Sequence, residues 1–187
     1  MEIVEGPFGL RFIKIEATQV FLGTNKGAWV YASERPRHRV NLPEFIILES
    51  PITRAQYAEI LGEEEDSDEL KDMITNDDVQ NIATILSEYF EEEVRRPTQA
   101  EWKAGESMID LPCGWTELLA DEATGNHRGA SLDGRPRLEE MVGPMSGHRV
   151  SQSAHPTRKG VYAQVTTPGD RPLPKVGFRL VVSQKRE

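Results

Sequence analysis

The sequence predicts an α+β fold with several short strands, two main amphipathic helices and much irregular loop. Polar and apolar residues alternate over residues 13–18 and again over 37–42, which is the period of a half-buried strand. One stretch carries apolar residues at the spacing of a helix buried on one side, namely Val79, Ile82, Ala83, Leu86 and Phe90. Residues 122–148 are rich in Gly, Asn, Arg and Pro and lack periodicity, which is typical of irregular surface chain.

Length and charge limit the architecture and the partners. The 187 residues are enough for one domain with a sizeable core, so residues 1–187 are expected to form a single domain. The formal net charge of −9 counts against a nucleic-acid backbone as the main partner, because phosphate binding needs clustered Lys and Arg. No nucleic-acid partner is therefore predicted.

Three observations bear on the location of the protein. No apolar run reaches the roughly 18 residues that a membrane span requires. The first residues lack a basic segment followed by an apolar one, so no signal peptide is predicted. The single cysteine, Cys113, cannot form a disulfide within the chain and is expected to be a small buried hydrophobe. These features predict a cytoplasmic protein without membrane contact.

The first third of the chain predicts strands followed by a helix. Residues 8–23 are typical of two paired strands, and residues 45–48 of a short apolar strand. Thr53 and Gln56 have the spacing of a capping box, which starts a helix, and Gly62 is suited to end it. His38 falls on the apolar face of the strand at 37–42. We favour a hydrogen-bonded core histidine there, with a metal ligand or a base as the alternative.

The middle of the chain combines an acidic block with two further helices. Residues 63–72 carry a like-charge run that predicts a solvated loop, because its carboxylates repel one another. A calcium loop is the alternative, although the Gly and terminal Glu of an EF-hand are absent. Asn76 or Asp77 is predicted to cap the helix that carries the Val79–Phe90 stripe. A second capping box, formed by Thr98 and Glu101, starts a short helix beside Trp102.

Residues 96–104, Arg-Pro-Thr-Gln-Ala-Glu-Trp-Lys-Ala, resemble a family signature. The segment is similar to "R-L-P-T-E-A-E-W-E-Y-A" of the formylglycine-generating-enzyme family, also called sulfatase-modifying-factor domains. Residues 34–45, 51–57 and 176–181 resemble other segments of the same family in the same order. The resemblance extends over residues 8–182. It implies a formylglycine-generating-enzyme-like, C-type-lectin-related fold: one domain with small twisted sheets, two flanking helices and much irregular loop.

The resemblance does not extend to the catalytic cysteines. Catalytic members of the family hold copper(I) with two cysteines near the C-terminus, and soft thiolates suit that ion. The corresponding residues 151–162 contain no cysteine, so formylglycine formation is not expected. The resemblance also implies a structural calcium ion held by an Asn and a Glu. Glu117 matches the Glu, but Gly114 replaces the Asn, so calcium at Glu117 is only a weak candidate and no other cofactor is predicted.

The leading hypothesis is therefore a pseudoenzyme: a non-catalytic binding module that presents a loop surface to another protein or a small ligand. Lectin-like relatives of the family include diversified ligand-binding proteins, which keeps protein and sugar binding open. Arg and Tyr are favoured at binding surfaces. The candidate ligand-binding residues are Trp29, Arg128, Arg135, Arg137, His148, His155, Arg158 and Tyr162, with Tyr31, Asn126 and His127 as further candidates.

Two alternatives remain open. The first is an enzyme of different activity, metal-dependent or redox, that uses the His and Arg residues of the C-terminal loops. His127, His148 and His155 would then gather around a metal ion instead of remaining solvated or hydrogen-bonded loop residues. The second is a structural subunit of a complex. The sequence does not predict the oligomeric state.

Overall fold

A computed structural model describes residues 2–25, 35–124, 127–128, 130–138 and 147–183. Three helices lie within these ranges, namely α1 (Arg54–Leu61), α2 (Asn76–Phe90) and α3 (Gln99–Gly105). The strands are β1 (Ile3–Glu5), β2 (Arg11–Ile15), β3 (Thr18–Leu22), β4 (His38–Leu42), β5 (Phe45–Leu48), β6 (Glu93–Arg95), β7 (Thr116–Glu122), β8 (His148–Ala154), β9 (Tyr162–Pro168), β10 (Val176–Gly177) and β11 (Val181–Ser183).

A five-stranded antiparallel sheet forms the central layer. Its strand order is β1-β2-β5-β11-β6, so the last strand of the chain lies between two strands from earlier parts of the sequence. Neighbouring residues of a strand point to opposite faces. Phe12 and Val182 accordingly belong to a hydrophobic cluster that includes residues of α1 and α2, whereas Ile13 and Val181 belong to a second cluster.

The second face of the central sheet is covered by the remaining strands and by α3. A four-stranded sheet has the order β10-β7-β8-β9, and β3 pairs with β4 in a two-stranded sheet. Trp102 of α3 is 1% exposed and packs in the same cluster as Val40 of β4 and Leu119 of β7. Helix α3 is therefore held between the three sheets, and its first turn lies next to β7.

The α+β class predicted from the sequence is confirmed, and three local predictions are corrected. The strands predicted within residues 8–23 do not pair with each other: β2 pairs with β1 and β5, whereas β3 pairs with β4. Helix α2 is capped by Thr75, whose hydroxyl accepts the Asp78 amide, and Asn76 is already the first helical residue. Cys113 is exposed and not buried. Longer-range packing decides strand partners and burial, so local patterns did not predict them.

The capping boxes agree with the sequence. Thr53 and Gln56 exchange hydrogen bonds at the start of α1, and Gly62 ends that helix with a φ of 74°. Thr98 and Glu101 do the same at the start of α3. Glu101 also accepts two hydrogen bonds from the Arg95 guanidinium, at 2.7 and 2.8 Å. The cap is thereby joined to the edge strand β6.

The acidic residues of the loop at 63–72 are largely exposed, as their mutual repulsion predicts. A single isolated bridge between Thr53 and Leu70 connects the end of this loop to the start of α1. At 15 residues, α2 is the longest helix in the described ranges, and none of these helices combines the length and apolar composition needed to cross a bilayer.

A buried ion pair joins the central sheet to the four-stranded sheet. Arg179 and Glu117 are each 0% exposed, and the Arg179 Nε donates to Glu117 Oε1 at 2.6 Å. The same guanidinium donates to the carbonyls of Leu48, Glu49 and Asp110 at 2.7–3.0 Å. Because Arg presents its donors in a rigid planar fork, it can bond four acceptors that come from three separate parts of the chain.

This network predicts that Arg179→Met destabilises the fold. Removing one partner of a buried pair leaves the other charge uncompensated, so we expect the free energy of unfolding to fall by about 3–5 kcal/mol. Arg11→Met is the matched control, because Arg11 makes a surface pair with Glu49. Its free energy of unfolding should fall by less than about 1 kcal/mol. Urea unfolding of the three proteins measures the difference. Equal losses in both variants would contradict the assigned role.

Candidate functional site

A small cavity lies where α3 begins, between the two-stranded and the four-stranded sheets. Its volume is about 50 Å³. The walls come from β4, the first turn of α3, strands β7 to β9 and the loop segments between β7 and β8. Polar side chains at its wall include His38, Gln99, Asp121, His127, Gln164 and Thr166. The cavity therefore depends on segments that are distant in sequence.

Asp121 joins two walls of the cavity. It accepts the Gln99 amide at 2.7 Å and the Arg137 amide at 2.8 Å, so it connects the start of α3 to the segment at 130–138. Burial raises the pKa of the Asp121 carboxyl, while the two amide hydrogen bonds lower it. The side chain of Gln99 donates to Gln164 on β9, which links the same helix start to the far strand of the sheet.

Two histidine rings stand against each other at the cavity wall. His38 and His127 have ring centroids 5.0 Å apart at a right angle, and His127 is 8% exposed. The His38 Nδ1 lies 3.3 Å from the Pro36 carbonyl oxygen. Within the described ranges, His38 Nε2 and His127 Nδ1 are buried without a hydrogen-bond partner.

The pKa of His127 is lowered to about 4, first by burial and then by the neighbouring His38 and Arg137. His127 is thus neutral at pH 7. A neutral imidazole has one donor and one acceptor nitrogen. The cavity wall consequently offers uncharged hydrogen-bonding groups.

The structure brings three of the predicted ligand-binding residues to this cavity: His127, Arg135 and Arg137. Arg135 pairs with Asp133 at 3.2 Å, and Arg137 Nη1 donates to Thr124 at 3.1 Å. Arg128 is exposed and follows His127 directly, but it is not part of the cavity wall. The predicted binding surface therefore coincides with the cavity only in part.

His148 and His155 lie at opposite ends of β8, which separates them by roughly 20 Å. The His155 Nδ1 accepts the amides of Thr157 and Arg158 and so organises the turn after β8. One metal ion could not contact both histidines. Among the residues that the structure describes, no group of three His, Cys, Asp or Glu side chains could hold a metal ion.

Tyr162 lies away from the cavity, at the start of β9. Its ring packs edge-on against Trp102 with centroids 5.0 Å apart, and it borders an open groove of about 450 Å³ that also contains Asp110. Burial raises the pKa of the Tyr162 hydroxyl. Arg158 is exposed in the loop between β8 and β9. The predicted residues Trp29, Tyr31 and Asn126 lie outside the described ranges.

Calcium binding at Glu117 stays a prediction. In the structure Glu117 is fully buried, and its two oxygens accept hydrogen bonds from Arg179 at 2.6 Å and from the Trp102 indole at 3.2 Å. These contacts give the side chain a structural role in joining α3, β7 and the chain before β11.

Sequence reasoning missed the pairing of His38 with His127. His38 was predicted to be a hydrogen-bonded core histidine, and nothing near it in sequence points to His127, which approaches from the irregular segment after β7. Asp121 is not among the predicted site residues. No local pattern marks either contact, because each joins residues that are distant in sequence.

The buried His127 predicts a specific pH dependence. Its folded-state pKa of about 4 lies below the ordinary value of 6.5, so between these values only the unfolded chain takes up the proton. The free energy of unfolding therefore falls as the pH decreases through this window. We expect His127→Gln to lose less stability than the unaltered protein between about pH 7 and about pH 5, as measured by urea unfolding. His155→Gln is the control, because it also removes one imidazole. If its unfolding free energy changed with pH in the same way as that of His127→Gln, the assignment of this pH dependence to His127 would be contradicted.

Comparisons with known proteins give a fold and no family. No protein-family model matches the chain, and no curated protein does. Among solved structures, PvdO from Pseudomonas aeruginosa has a TM-score of 0.74 at 16% identity, and the match covers 97% of each chain. Treponema denticola variable protein 1 has a TM-score of 0.67 at 15% identity, with 97% of this chain and 98% of that chain covered. At these identities the likeness shows that this chain shares their fold.

Proposed function

We propose that this chain is a non-catalytic binding module on a formylglycine-generating-enzyme-like scaffold, and that its cavity and the surrounding loops recognise a partner protein. The observation that carries the proposal is the pair of unpartnered imidazole nitrogens at the cavity wall, on His38 and His127. Buried polar groups are almost always hydrogen-bonded, and one left without a partner costs about 1–3 kcal/mol. Both nitrogens are buried, so a bound group would reach them and remove that cost through a shift of the cavity wall.

The size of the cavity supports a macromolecular partner. Pockets that enclose a whole small molecule measure roughly 300–1,000 Å³. A cavity of about 50 Å³ holds one small side chain instead. The rest of the binding energy would then come from the surface around it, where Leu132 and Leu138 are 61% and 67% exposed on either side of Arg135. Exposed apolar side chains with an Arg among them are typical of a protein interface.

The thiol content supports a role other than the copper chemistry implied by the family resemblance. That chemistry uses two thiolates, and the chain has one cysteine. Cys113 is exposed in the segment before β7 and does not line the cavity. The neutral His127 imidazole is suited to hydrogen bonding with a ligand. An enzyme of different activity remains the alternative function, and metal analysis of the purified protein tests its metal-dependent form.

Blocking the cavity is expected to weaken partner capture. Thr166 lines the cavity from β9, so Thr166→Trp places a large ring at its mouth. Val165→Trp is the matched control, because it adds the same ring to the adjacent residue, which points to the other face of the sheet. Each tagged protein is used for co-purification and mass spectrometry, and binding of the identified partner is then measured by calorimetry. We expect a stoichiometric partner with the unaltered protein and with Val165→Trp, and at least tenfold weaker binding with Thr166→Trp, that is about 1.4 kcal/mol.

Two results would overturn the proposal. Equal binding by Thr166→Trp and Val165→Trp would place the interface elsewhere. Stoichiometric iron, zinc or copper in the purified protein, lost on replacing His127, would favour the enzymatic alternative.

A further inference from the structure

Strand β9 is the free edge of the four-stranded sheet, and it is the longest strand at a sheet edge within the described ranges. It runs over seven residues, Tyr162–Pro168, and contains no charged side chain. The edge strands of the five-stranded sheet, β1 and β6, have three residues each. Proteins usually protect long edges with charges, bulges or a covering segment, because an open edge pairs readily with another strand.

Two hydrogen bonds show which backbone groups of β9 are already used. The His155 amide donates to the Val161 carbonyl at 2.8 Å, and the Gly169 amide donates to the Gly147 carbonyl at 3.0 Å. Both pairs continue the β8–β9 register beyond the two ends of the strands. In an antiparallel ladder the bonded pairs recur at every second residue. The odd-numbered residues of β9 therefore bond to β8.

The even-numbered residues then point their amides and carbonyls away from β8, at the open edge. These residues are Tyr162, Gln164 and Thr166, followed by Pro168, which has a carbonyl but no amide hydrogen. No backbone hydrogen bond of these four residues outside the sheet appears in the described part of the chain. The edge thus offers three donors and four acceptors, in the spacing that an extended chain matches.

The same residues connect the edge to the cavity. Gln164 and Thr166 line the cavity with their side chains, and Tyr162 borders the neighbouring groove. Residues directly opposite each other on adjacent strands place their side chains on the same face of the sheet. A strand added to β9 would therefore direct a side chain opposite Gln164 or Thr166 toward the cavity.

We propose that an extended, uncharged segment of a partner protein pairs with the open edge of β9 as a fifth strand and inserts one small polar side chain into the cavity. This inference rests on the proposed binding function and specifies its partner. The backbone edge supplies affinity for extended chain, and the cavity selects one side chain.

The chemistry of the inserted side chain follows from the histidine pair. His38 Nε2 and His127 Nδ1 are buried at the cavity wall without a hydrogen-bond partner in the described ranges. Which of these nitrogens donates depends on the tautomer of its ring, so the inserted group is one that can both donate and accept. A volume of about 50 Å³ suits Ser, Thr or Asn, which have this property.

A second copy of this chain that pairs about Gln164 fits the site less well than a separate segment. If two β9 strands paired about Gln164, the residues opposite Gln164 and Thr166 would be Gln164 and Tyr162 of the other copy. Gln164 already accepts a hydrogen bond from Gln99, and the Tyr162 ring is packed against Trp102. Neither side chain could enter the cavity without breaking its own contact.

The test uses random heptapeptides displayed on phage, selected on the purified full chain. We expect the selected peptides to share Ser, Thr or Asn at one position and to lack charge around it. On binding a selected synthetic peptide, the amides of Gln164 and Thr166 should exchange hydrogen more slowly in NMR. The Val165 and Thr167 amides, which already bond to β8, should change little.

Backbone substitutions separate edge pairing from other contacts. Thr166→Pro removes an outward amide without touching the β8 ladder, so we expect at least tenfold weaker peptide binding, whereas Thr166→Val keeps the amide and should lose about threefold. N-methylation of the peptide at alternate amides should abolish binding, and N-methylation at the intervening amides should not. This period of two is specific to an added strand.

Several results would overturn the inference while leaving the proposed function intact. These are a partner that Thr166→Trp loses but Thr166→Pro retains, peptide binding without protection of the Gln164 amide, or no selected peptide at all. A dimer in sedimentation that Thr166→Pro disrupts would assign the edge to a second copy. Absence of any partner, together with unaltered peptide binding by Thr166→Trp, would reject the proposed function itself.

Discussion

The buried Arg179–Glu117 pair is the interaction on which the rest of the structure depends. Arg179 lies in the short segment between β10 and β11, and these two strands belong to different sheets. Its guanidinium bonds Glu117 of β7 and the carbonyls of Leu48, Glu49 and Asp110. A cation taken out of water is tolerated only when its donors are satisfied, so each of these segments must be in place for the pair to form. The requirement fixes the four-stranded sheet against the central one.

The cavity follows from that arrangement. Glu117 and Asp121 lie on the same strand, so positioning β7 through Arg179 also positions Asp121 beside the start of α3. Asp121 then accepts the Gln99 and Arg137 amides, which joins the start of α3 to the segment at 130–138. His127 packs against His38 of β4 at the same cavity. The cavity wall is thus built in part from irregular chain beside strands, which is the usual location of binding residues.

The proposed partner recognition uses two elements of different kinds. The open edge of β9 offers backbone groups that any extended chain can meet, whereas the cavity wall holds two unpartnered imidazole nitrogens for one polar side chain. Gln164 and Thr166 belong to both elements, because their backbone faces the edge and their side chains face the cavity. Affinity and selectivity therefore come from adjacent groups, and neither needs the thiolate pair that the family resemblance associates with catalysis.

The sequence alone determined the features that depend on neighbours along the chain. The capping boxes at Thr53 and Thr98, the Gly62 helix end and the α2 stripe each involve residues within a few positions, where periodicity and hydrogen-bonding chemistry are decisive. The fold class followed from these elements and from the resemblance of several segments to one family. Two of the loop arginines predicted for binding, Arg135 and Arg137, also lie at the cavity.

Only the tertiary structure decided which of those elements meet. The pairing of β2 with β5, the approach of His127 to His38, the burial of Arg179 and the open edge of β9 all join or expose residues that are far apart in sequence. Such contacts are selected by the packing of the whole domain, and no local spacing encodes them. For the same physical reason His148 and His155, which look close along the chain, lie at the two ends of one strand, since an extended strand separates its ends as far as its length allows.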